Sequence, residues 1–290
     1  MKLNIVMISP GPVLTLKEEY CKLLSREFNV RHLSTCYINS GLNRKKIGTY
    51  STYFSFYKTK ISTLCKLWFV FYCIIQSVLW RIKKEKINLV SAYDPLKTGL
   101  TAVICARITR APCVTEVNGV YNKVVEIEKT VNPLKTVKKL SVPAVQKFVL
   151  KRSAGIKVLF PDQIKDLKID TTNKIVRMFP NYVNINKFLE CSDKHEKKQV
   201  LFAGFPFWIK GVDILISAYR LIAEKYNEWE LKILGYYPDK SLFDKYIGNT
   251  KNISVHSAVM PSEMPIQMQQ CAIFVLPSRT DALARVLIES

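Results

Sequence analysis

Residues that could bind a phosphate follow a predicted strand in the C-terminal third of the chain. After the apolar run Val200–Ala203, Gly204 leads through a turn to Lys210 at the start of a predicted helix. The N–H groups and dipole of a helix start attract anions, and a lysine adds a full positive charge. The pattern predicts a phosphate site, although a lysine that merely caps a helix would give the same pattern.

Two carboxylates, Asp281 and Glu289, flank a predicted strand-to-helix loop that follows the run Ile273–Leu276. Carboxylates accept hydrogen bonds from vicinal hydroxyls, so this pair could hold a sugar at one end and a ribose at the other. Taken alone, Asp281 is equally well a helix N-cap, and Glu289 a charge on a helix face.

In the first half of the chain, Asn118 stands just after the strand-like run Cys113–Val117. Its amide could hydrogen-bond a sugar but cannot act as a general base. An asparagine before a glycine is also a common turn. The sequence has neither an Asp-x-Asp motif nor a CxxC pair, so we predict no metal and no cofactor.

Parallel sheets would bring such positions together, because ligands bind beyond the carboxyl ends of their strands. Apolar runs separated by helix-length segments predict two successive α/β domains. The runs are Leu3–Ile8, Ile87–Ala92, Cys113–Val117, Ile156–Phe160, Ile175–Met178, Val200–Ala203, Leu231–Leu234, Ile253–His256 and Ile273–Leu276. The polar run 191–198 is the predicted linker between domains at 1–190 and 199–290. The eight scattered cysteines predict a reducing cytoplasm.

The charge is strongly asymmetric, with a net +21 for the whole chain. Residues 1–200 hold 35 Lys or Arg against 14 Asp or Glu, whereas residues 201–290 hold nine of each. Such a field attracts an anionic membrane, a phosphate-bearing substrate or nucleic acid, and charge alone does not choose among them. No RNP, KH or zinc-finger motif supports nucleic acid.

Basic and apolar residues alternate between Leu134 and Arg152, where Pro143 is predicted to separate two helices. These helices, with the clusters 44–46 and 81–86, could lie on an anionic membrane or be ordinary solvated faces. The apolar run Leu64–Trp80 could span a membrane, but a buried helix is favoured. Its aromatic residues are likewise expected in the core rather than at a membrane interface. They are Trp68, Phe69, Phe71, Tyr72 and Trp80.

The segment Pro277-Ser-Arg-x-Asp281-x7-Glu289 resembles the proline-serine and glutamate-x7-glutamate signature of glycosyltransferase family four. Gly204 with Lys210-Gly-Val-Asp213 is similar to the diphosphate loop of that family. The run 179–184, Phe-Pro-Asn-Tyr-Val-Asn, resembles the element that closes its N-terminal domain. The resemblance implies an α/β GT-B fold, with two Rossmann-like, doubly wound parallel-sheet domains facing a cleft.

The resemblance also implies roles for individual residues. Lys210 would stabilise the diphosphate, Asp281 would hold the donor sugar and Glu289 would bind the ribose. The further donor-binding positions are Gly11, Asn118, Gly204, Gly235, Ala282, Leu283 and Ala284. The sequence departs from the family where Asp281 replaces a glutamate and Ala282 and Ala284 replace glycines, so donor contacts are expected to differ. Family members continue beyond the position of Ser290, which predicts an incomplete second domain.

The expected function is retaining, metal-independent transfer of a hexose-type sugar from a nucleoside-diphosphate sugar. The acceptor would be a hydroxyl of a lipid-linked or cell-surface glycan, and no nucleic acid is expected as a partner. The expected location is the cytoplasm, where the basic first half would hold the protein peripherally at the inner membrane face. The alternatives are a truncated, non-catalytic relic and a basic protein that binds membranes or polyanions.

Overall fold

The computed structural model describes residues 2–9, 18–37, 44–57, 62–123, 133–167, 169–189, 197–235 and 240–290. The chain forms two compact units. Unit 1 comprises Met1–Gly119 and Thr136–Pro180, and unit 2 comprises Val120–Lys135 and Asn181–Ser290. This division falls before the predicted linker at 191–198, of which residues 191–196 lie outside the described residues.

Unit 1 is built on an eight-stranded sheet in the order β3-β4-β2-β1-β5-β6-β7-β8, parallel except for the β3–β4 pair. The strands are β1 (Leu3–Ile8), β2 (Phe28–Tyr37), β3 (Arg44–Ile47), β4 (Tyr50–Tyr57), β5 (Leu89–Ala92), β6 (Cys113–Glu116), β7 (Gly155–Val158) and β8 (Ile175–Met178). The helices are α1 (Glu18–Glu27), α2 (Ser62–Ile82), α3 (Lys97–Thr109), α4 (Pro133–Arg152) and α5 (Asp162–Leu167).

Helices cover both faces of this sheet. Along β1, Val6 and Ile8 are buried with side chains of α2 and α3, whereas Met7 packs with α1 on the opposite face. Neighbouring side chains of a strand point to opposite faces, so this alternation requires a helical layer on each side. The doubly wound parallel architecture predicted from the sequence is confirmed for this unit.

Unit 2 has a four-stranded parallel sheet in the order β11-β10-β9-β12. Its strands are β9 (Lys197–Ala203), β10 (Glu230–Leu234), β11 (Ile253–His256) and β12 (Cys271–Phe274). Its helices are α6 (Asn186–Leu189), α7 (Val212–Arg220), α8 (Lys240–Ile247), α9 (Met264–Gln270) and α10 (Arg285–Glu289). The core lies between α7 and the sheet, where Val212, Ile216 and Tyr219 pack on Phe202 and Ile233.

The sheet order of unit 2 brings two distant segments together. β9 pairs with β10 on one side and with β12 on the other, although about 70 residues separate β9 from β12. Because all four strands are parallel, the loop after β9 and the loop after β12 leave adjacent carboxyl ends. These loops carry Lys210 and Asp281.

Two sequence-based expectations were wrong. Pro143 does not separate two helices, because α4 continues through it from Pro133 to Arg152. Proline removes the hydrogen bond to the carbonyl four residues earlier, that of Lys139, and both positions face solvent, where water can take its place.

The aromatic residues of α2 do not all belong to the core. Phe69 and Trp80 are buried, as expected, but Trp68 and Phe71 are 50% and 58% exposed. In a helix, residues 69 and 80 share the face that packs on the sheet, whereas 68 and 71 lie on the opposite face. Among the described residues, α2 is the one helix long and apolar enough to cross a membrane, and 28% of its apolar window is buried.

Candidate functional site

The loop after β9 makes a tight turn that depends on Gly211. This residue caps the N-terminus of α7 in the left-handed conformation, at φ +69°. A Cβ atom here would lie 2.0 Å from the carbonyl oxygen of Pro277, in the loop after β12. Only glycine therefore lets the two loops approach this closely.

Arg279 fastens the loop after β12 to the loop after β9. Its guanidinium donates to both carboxylate oxygens of Asp213 at 2.7 Å and to the carbonyl oxygen of Trp208 at 2.6 Å. It also stacks on the Trp208 ring, 3.5 Å from the centroid, and its backbone N–H donates to Ile209 O at 2.9 Å. The bond to Asp213 raises the pKa of Arg279.

The ion pair of Arg279 with Asp213 also affects the electrostatics at the N-terminus of α7. Asp213 lies in the first turn of the helix, where its negative charge would oppose the binding of an anion. The paired Arg279 compensates that charge. Arg279, Asp213 and Trp208 were not predicted as site residues, and only their position inside the two motifs could have suggested them.

Lys210 and Asp281, predicted separately as a phosphate ligand and a sugar ligand, form an ion pair. Their side chains are 19% and 26% exposed, so solvent or a ligand can reach them. Asp281 also accepts a hydrogen bond from the N–H of Ala282 at 3.0 Å. The aliphatic part of Lys210 passes over Gly204, where a Cβ would lie 3.4 Å from its Cγ. The structure thus brings Gly204, Lys210, Asp281 and Ala282 together.

The turn from Asp281 into α10 offers hydrogen-bond donors. Within the described part of the chain, the backbone N–H groups of Leu283 and Ala284 have no hydrogen-bond partner. Ala284 precedes α10 in an extended conformation and makes no side-chain cap. Two adjacent N–H groups that follow Asp281 and have no partner among the described residues suit a phosphate or a sugar hydroxyl.

Glu289 ends α10 as a half-buried carboxylate. Desolvation raises its pKa, and the positive charge of Arg285, one helical turn earlier, opposes this shift. No hydrogen bond to its side chain is found among the described residues. A carboxylate with free acceptor capacity can bind two hydroxyls.

Gly235 lies at the carboxyl end of β10, beside Gly204 at the end of β9. The N–H of Gly204 donates to Leu234 O at 3.1 Å, and the N–H of Gly235 donates to His256 O at 3.2 Å. The ladder therefore runs to the last residue of each strand, and the chain leaves the sheet at a glycine. This places Gly235 on the same sheet edge as the other predicted donor-binding residues of unit 2.

The two predicted positions in unit 1 differ in what the structure describes. Gly11 lies outside the described residues. The amide of Asn118 donates to Tyr93 O at 2.8 Å and to Glu116 Oε2 at 3.1 Å, and its oxygen accepts from Lys157 Nζ at 3.1 Å. Both amide hydrogens are thus used inside the protein, and among the described residues the oxygen has Lys157 as its partner, which leaves one lone pair.

Asn118 belongs to a buried charged network at the carboxyl ends of β5, β6 and β7. The side chain of Lys157 is 5% exposed and pairs with Glu116 at 3.3 Å. Its ammonium also lies 5.1 Å from the centre of the Phe179 ring. An opposite charge and hydrogen bonds can replace water around a buried ammonium group, so Glu116 and Asn118 stabilise Lys157 here.

The C-terminal part of the chain is similar to known glycosyltransferases. Residues 186–290 match the model of the family described as "Glycosyl transferases group 1". That segment contains every predicted site residue of unit 2. An uncharacterized glycosyltransferase of Haemophilus influenzae is 30% identical over 105 residues, covering 33% of this chain and 28% of the relative. The aligned part therefore spans little more than a quarter of that relative's length.

Solved structures extend the likeness to nearly the whole chain. Sucrose-phosphate synthase from Thermosynechococcus elongatus has a TM-score of 0.74 and 14% identity, with 99% of this chain and 78% of that chain covered. WaaG, a glycosyltransferase involved in lipopolysaccharide biosynthesis, has a TM-score of 0.66 and 16% identity over 99% and 78%. The fold is GT-B. Its two Rossmann-like domains agree with the architecture predicted from the sequence.

Proposed function

We propose that the chain transfers a hexose-type sugar from a nucleoside-diphosphate sugar to a hydroxyl group, with retention of configuration. The supporting observation is the meeting of the loops after β9 and β12, which bring the Lys210 cation, the Asp281 carboxylate and the N–H groups of Leu283 and Ala284 to one sheet edge. Such an edge is the usual binding place for nucleotides in parallel sheets. The family match over residues 186–290 supports the same reaction class.

The ion pair of Lys210 with Asp281 suggests how the donor enters. A diphosphate approaching Lys210 competes with the Asp281 carboxylate for the ammonium group. Asp281 is then free to accept hydrogen bonds from the sugar hydroxyls, while Glu289 accepts those of the ribose. Donor binding therefore exchanges one charge-assisted contact for several.

In the reaction, the bond between the anomeric carbon and the diphosphate oxygen breaks, and its electron pair leaves with the diphosphate. The acceptor oxygen bonds to the anomeric carbon, and the hydroxyl proton passes to the departing diphosphate or to solvent. Lys210 and the N–H groups of Leu283 and Ala284 stabilise the charge that develops on the leaving group. Because Arg279 compensates the charge of Asp213, the electric field at the start of α7 favours that negative charge.

We further propose that transfer needs no divalent cation, because Lys210 and the loop N–H groups supply the compensating charge. Transfer should persist in excess EDTA and fall sharply in Lys210→Ala. A rate that is lost in EDTA and restored by Mg²⁺ would contradict this proposal.

The proposed acceptor is a lipid-linked or cell-surface glycan, used from the cytoplasmic side by a protein held peripherally at the inner membrane face. The excess positive charge of residues 1–200 supports this location, since basic surfaces are attracted to anionic leaflets. The structurally similar WaaG is described as acting in lipopolysaccharide biosynthesis, which supports an acceptor of this kind.

The test is a panel of sugar nucleotides assayed for binding, hydrolysis and transfer. Lys210→Ala should lower turnover about 10²–10³-fold, as expected when one group that stabilises developing charge is removed. Glu289→Ala should weaken donor affinity. Lys198→Ala and Glu224→Ala are matched controls on exposed residues of unit 2 and should leave both quantities unchanged.

Donor binding that survives unchanged in both site variants would overturn the assignment of the site. If no sugar nucleotide binds to the unmodified chain while anionic vesicles do, the alternative of a non-catalytic membrane-binding protein is favoured.

A further inference from the structure

The outer face of α2 carries a continuous row of exposed apolar side chains, here called the α2 stripe. Its members recur every three or four residues, so they lie on one face of the helix. Each is between 38% and 70% exposed. They are Leu64, Leu67, Trp68, Phe71, Ile75, Val78, Leu79 and Ile82.

The opposite face of α2 is fixed to the protein. Cys65, Phe69, Cys73 and Trp80 are buried, and the last three pack with the side chains of α3 and the central strands. Trp80 also makes an edge contact with Tyr53 of β4, with 6.0 Å between the ring centroids. One face of α2 is therefore packed along the core of unit 1, and the helix would have to leave this core to cross a membrane.

Three helices on one side of the unit 1 sheet, α2, α3 and α4, contain no acidic residue. α2, α3 and α4 contain two, two and six Lys or Arg residues, respectively, and no Asp or Glu. α2 packs on α3, and Gly99 of α3 lies against Val149 of α4, so the three helices form one layer. On the other face of the sheet, α1 has three glutamates and two basic residues. The charge asymmetry thus distinguishes the two faces of one domain.

We propose that the α2 stripe inserts into the interface of an anionic lipid bilayer, with the basic residues of α3 and α4 contacting the headgroups. An apolar helix face with basic surroundings binds such surfaces by apolar burial together with attraction to anionic lipid. Trp68 suits the headgroup region, where tryptophan is enriched. A second copy of the chain fits less well, since a two-fold contact would bring the basic residues of α2, α3 and α4 of both copies together.

This inference rests on the proposed membrane location but makes it more specific, because it assigns binding to apolar insertion and not to charge alone. The decisive variant replaces Leu67, Phe71 and Ile75 with glutamine. These side chains are about half exposed, so the fold should persist, which circular dichroism and thermal melting would verify. The matched control replaces three exposed residues of unit 2, Ile214, Leu221 and Ile222, with glutamine.

The measurement is co-sedimentation with phosphatidylcholine vesicles that contain or lack phosphatidylglycerol. The α2 variant should bind the anionic vesicles at least about tenfold more weakly than the unmodified chain. The unit 2 control should bind like the unmodified chain. The fluorescence of Trp68 should be quenched by brominated lipid, and Trp68→Phe should abolish that quenching.

Three results would overturn the inference. The α2 variant could bind vesicles as well as the unmodified chain, while Lys147→Gln with Lys151→Gln abolishes binding, which would indicate adsorption by charge alone. The variant could convert a dimer to a monomer with vesicle binding unchanged, which would identify a self-association surface. The unmodified chain could fail to bind anionic vesicles.

Donor affinity, measured without vesicles, separates this inference from the proposed function. The α2 variant should bind sugar nucleotides like the unmodified chain, because the stripe contains no site residue. Failure of every form to bind a sugar nucleotide would contradict the proposed function without affecting the conclusion from vesicle binding.

Discussion

Replacing Gly211 with alanine tests whether close approach of the two loops creates the donor site. The left-handed conformation costs a non-glycine residue about 1–2 kcal/mol. In addition, the new Cβ would lie 2.0 Å from Pro277 O and 2.9 Å from Pro277 C, so the loops must separate by more than an ångström. Such overpacking costs about 1–3 kcal/mol more. We therefore expect unit 2 to lose about 2–5 kcal/mol of unfolding free energy in total.

Gly248 provides a matched control in the same unit. It has a similar φ of +55°, but a Cβ there would meet only the Arg220 side chain, at 3.9 Å. Gly248→Ala should therefore show the conformational cost alone and leave donor affinity unchanged. Gly211→Ala should also weaken donor binding, because the loops that carry Lys210 and Asp281 must move apart.

Urea unfolding gives the stability of both variants, and calorimetric titration with sugar nucleotides gives their donor affinity. A Gly211→Ala variant that is no less stable than Gly248→Ala and binds the donor equally well would show that the close approach of the loops does not create the donor site. If Gly211→Ala is much less stable but binds donor normally below its unfolding transition, the packing argument survives and the location of the site does not.

Three further perturbations test individual contacts. Donor affinity should fall as the pH falls through the raised pKa of Glu289, since the protonated carboxyl accepts hydroxyl hydrogen bonds less well. This loss of affinity at low pH should vanish in Glu289→Gln, and an unchanged pH dependence would contradict the assignment. A lysine in Arg279→Lys cannot form both bonds to Asp213, so unit 2 should lose about 1–3 kcal/mol of unfolding free energy, measured in urea. Equal stability would show that these two bonds contribute little. Lys157→Met should leave Glu116 without its cation and lower the unfolding free energy of unit 1 by about 3 kcal/mol, which would speed hydrogen exchange in β6 and β7. Adding Glu116→Gln should restore part of the lost stability, and no restoration would argue against the ion pair as the cause.

The strands that could be predicted have at least one continuous apolar face. β1, β8 and β11 have the predicted limits, and β10 begins one residue earlier than predicted. β2 and β4 were not predicted, because buried polar residues such as His32, Thr35 and Thr52 interrupt their apolar pattern. Sequence periodicity reports burial only through side-chain polarity, so a strand with a polar interior side gives no signal.

The candidate site was predictable residue by residue, but not as an arrangement. Motif spacing identified Lys210 and Asp281, yet no local pattern specifies that β12 pairs with β9 and not with β11. The same limitation applies to Arg279 and Asp213, whose contact exists only because that pairing brings their loops together. The exposure of the α2 stripe was also beyond prediction, because apolar periodicity alone does not tell which apolar face of a helix meets the sheet.

The place of β12 in the sheet has a consequence for local opening of the molecule. Among the described strands of unit 2, β12 pairs with one neighbour, and its register with β9 shifts between Cys271 and Ile273. β12 can therefore detach while β9, β10 and β11 remain paired, and such an opening would carry Asp281 away from Lys210. A ligand held by both residues would bind only the closed form, so binding would suppress the opening by mass action. A bound ligand would then keep β12 paired with β9. The backbone amide of a β12 residue such as Ile273 would therefore exchange its hydrogen more slowly when the site is occupied.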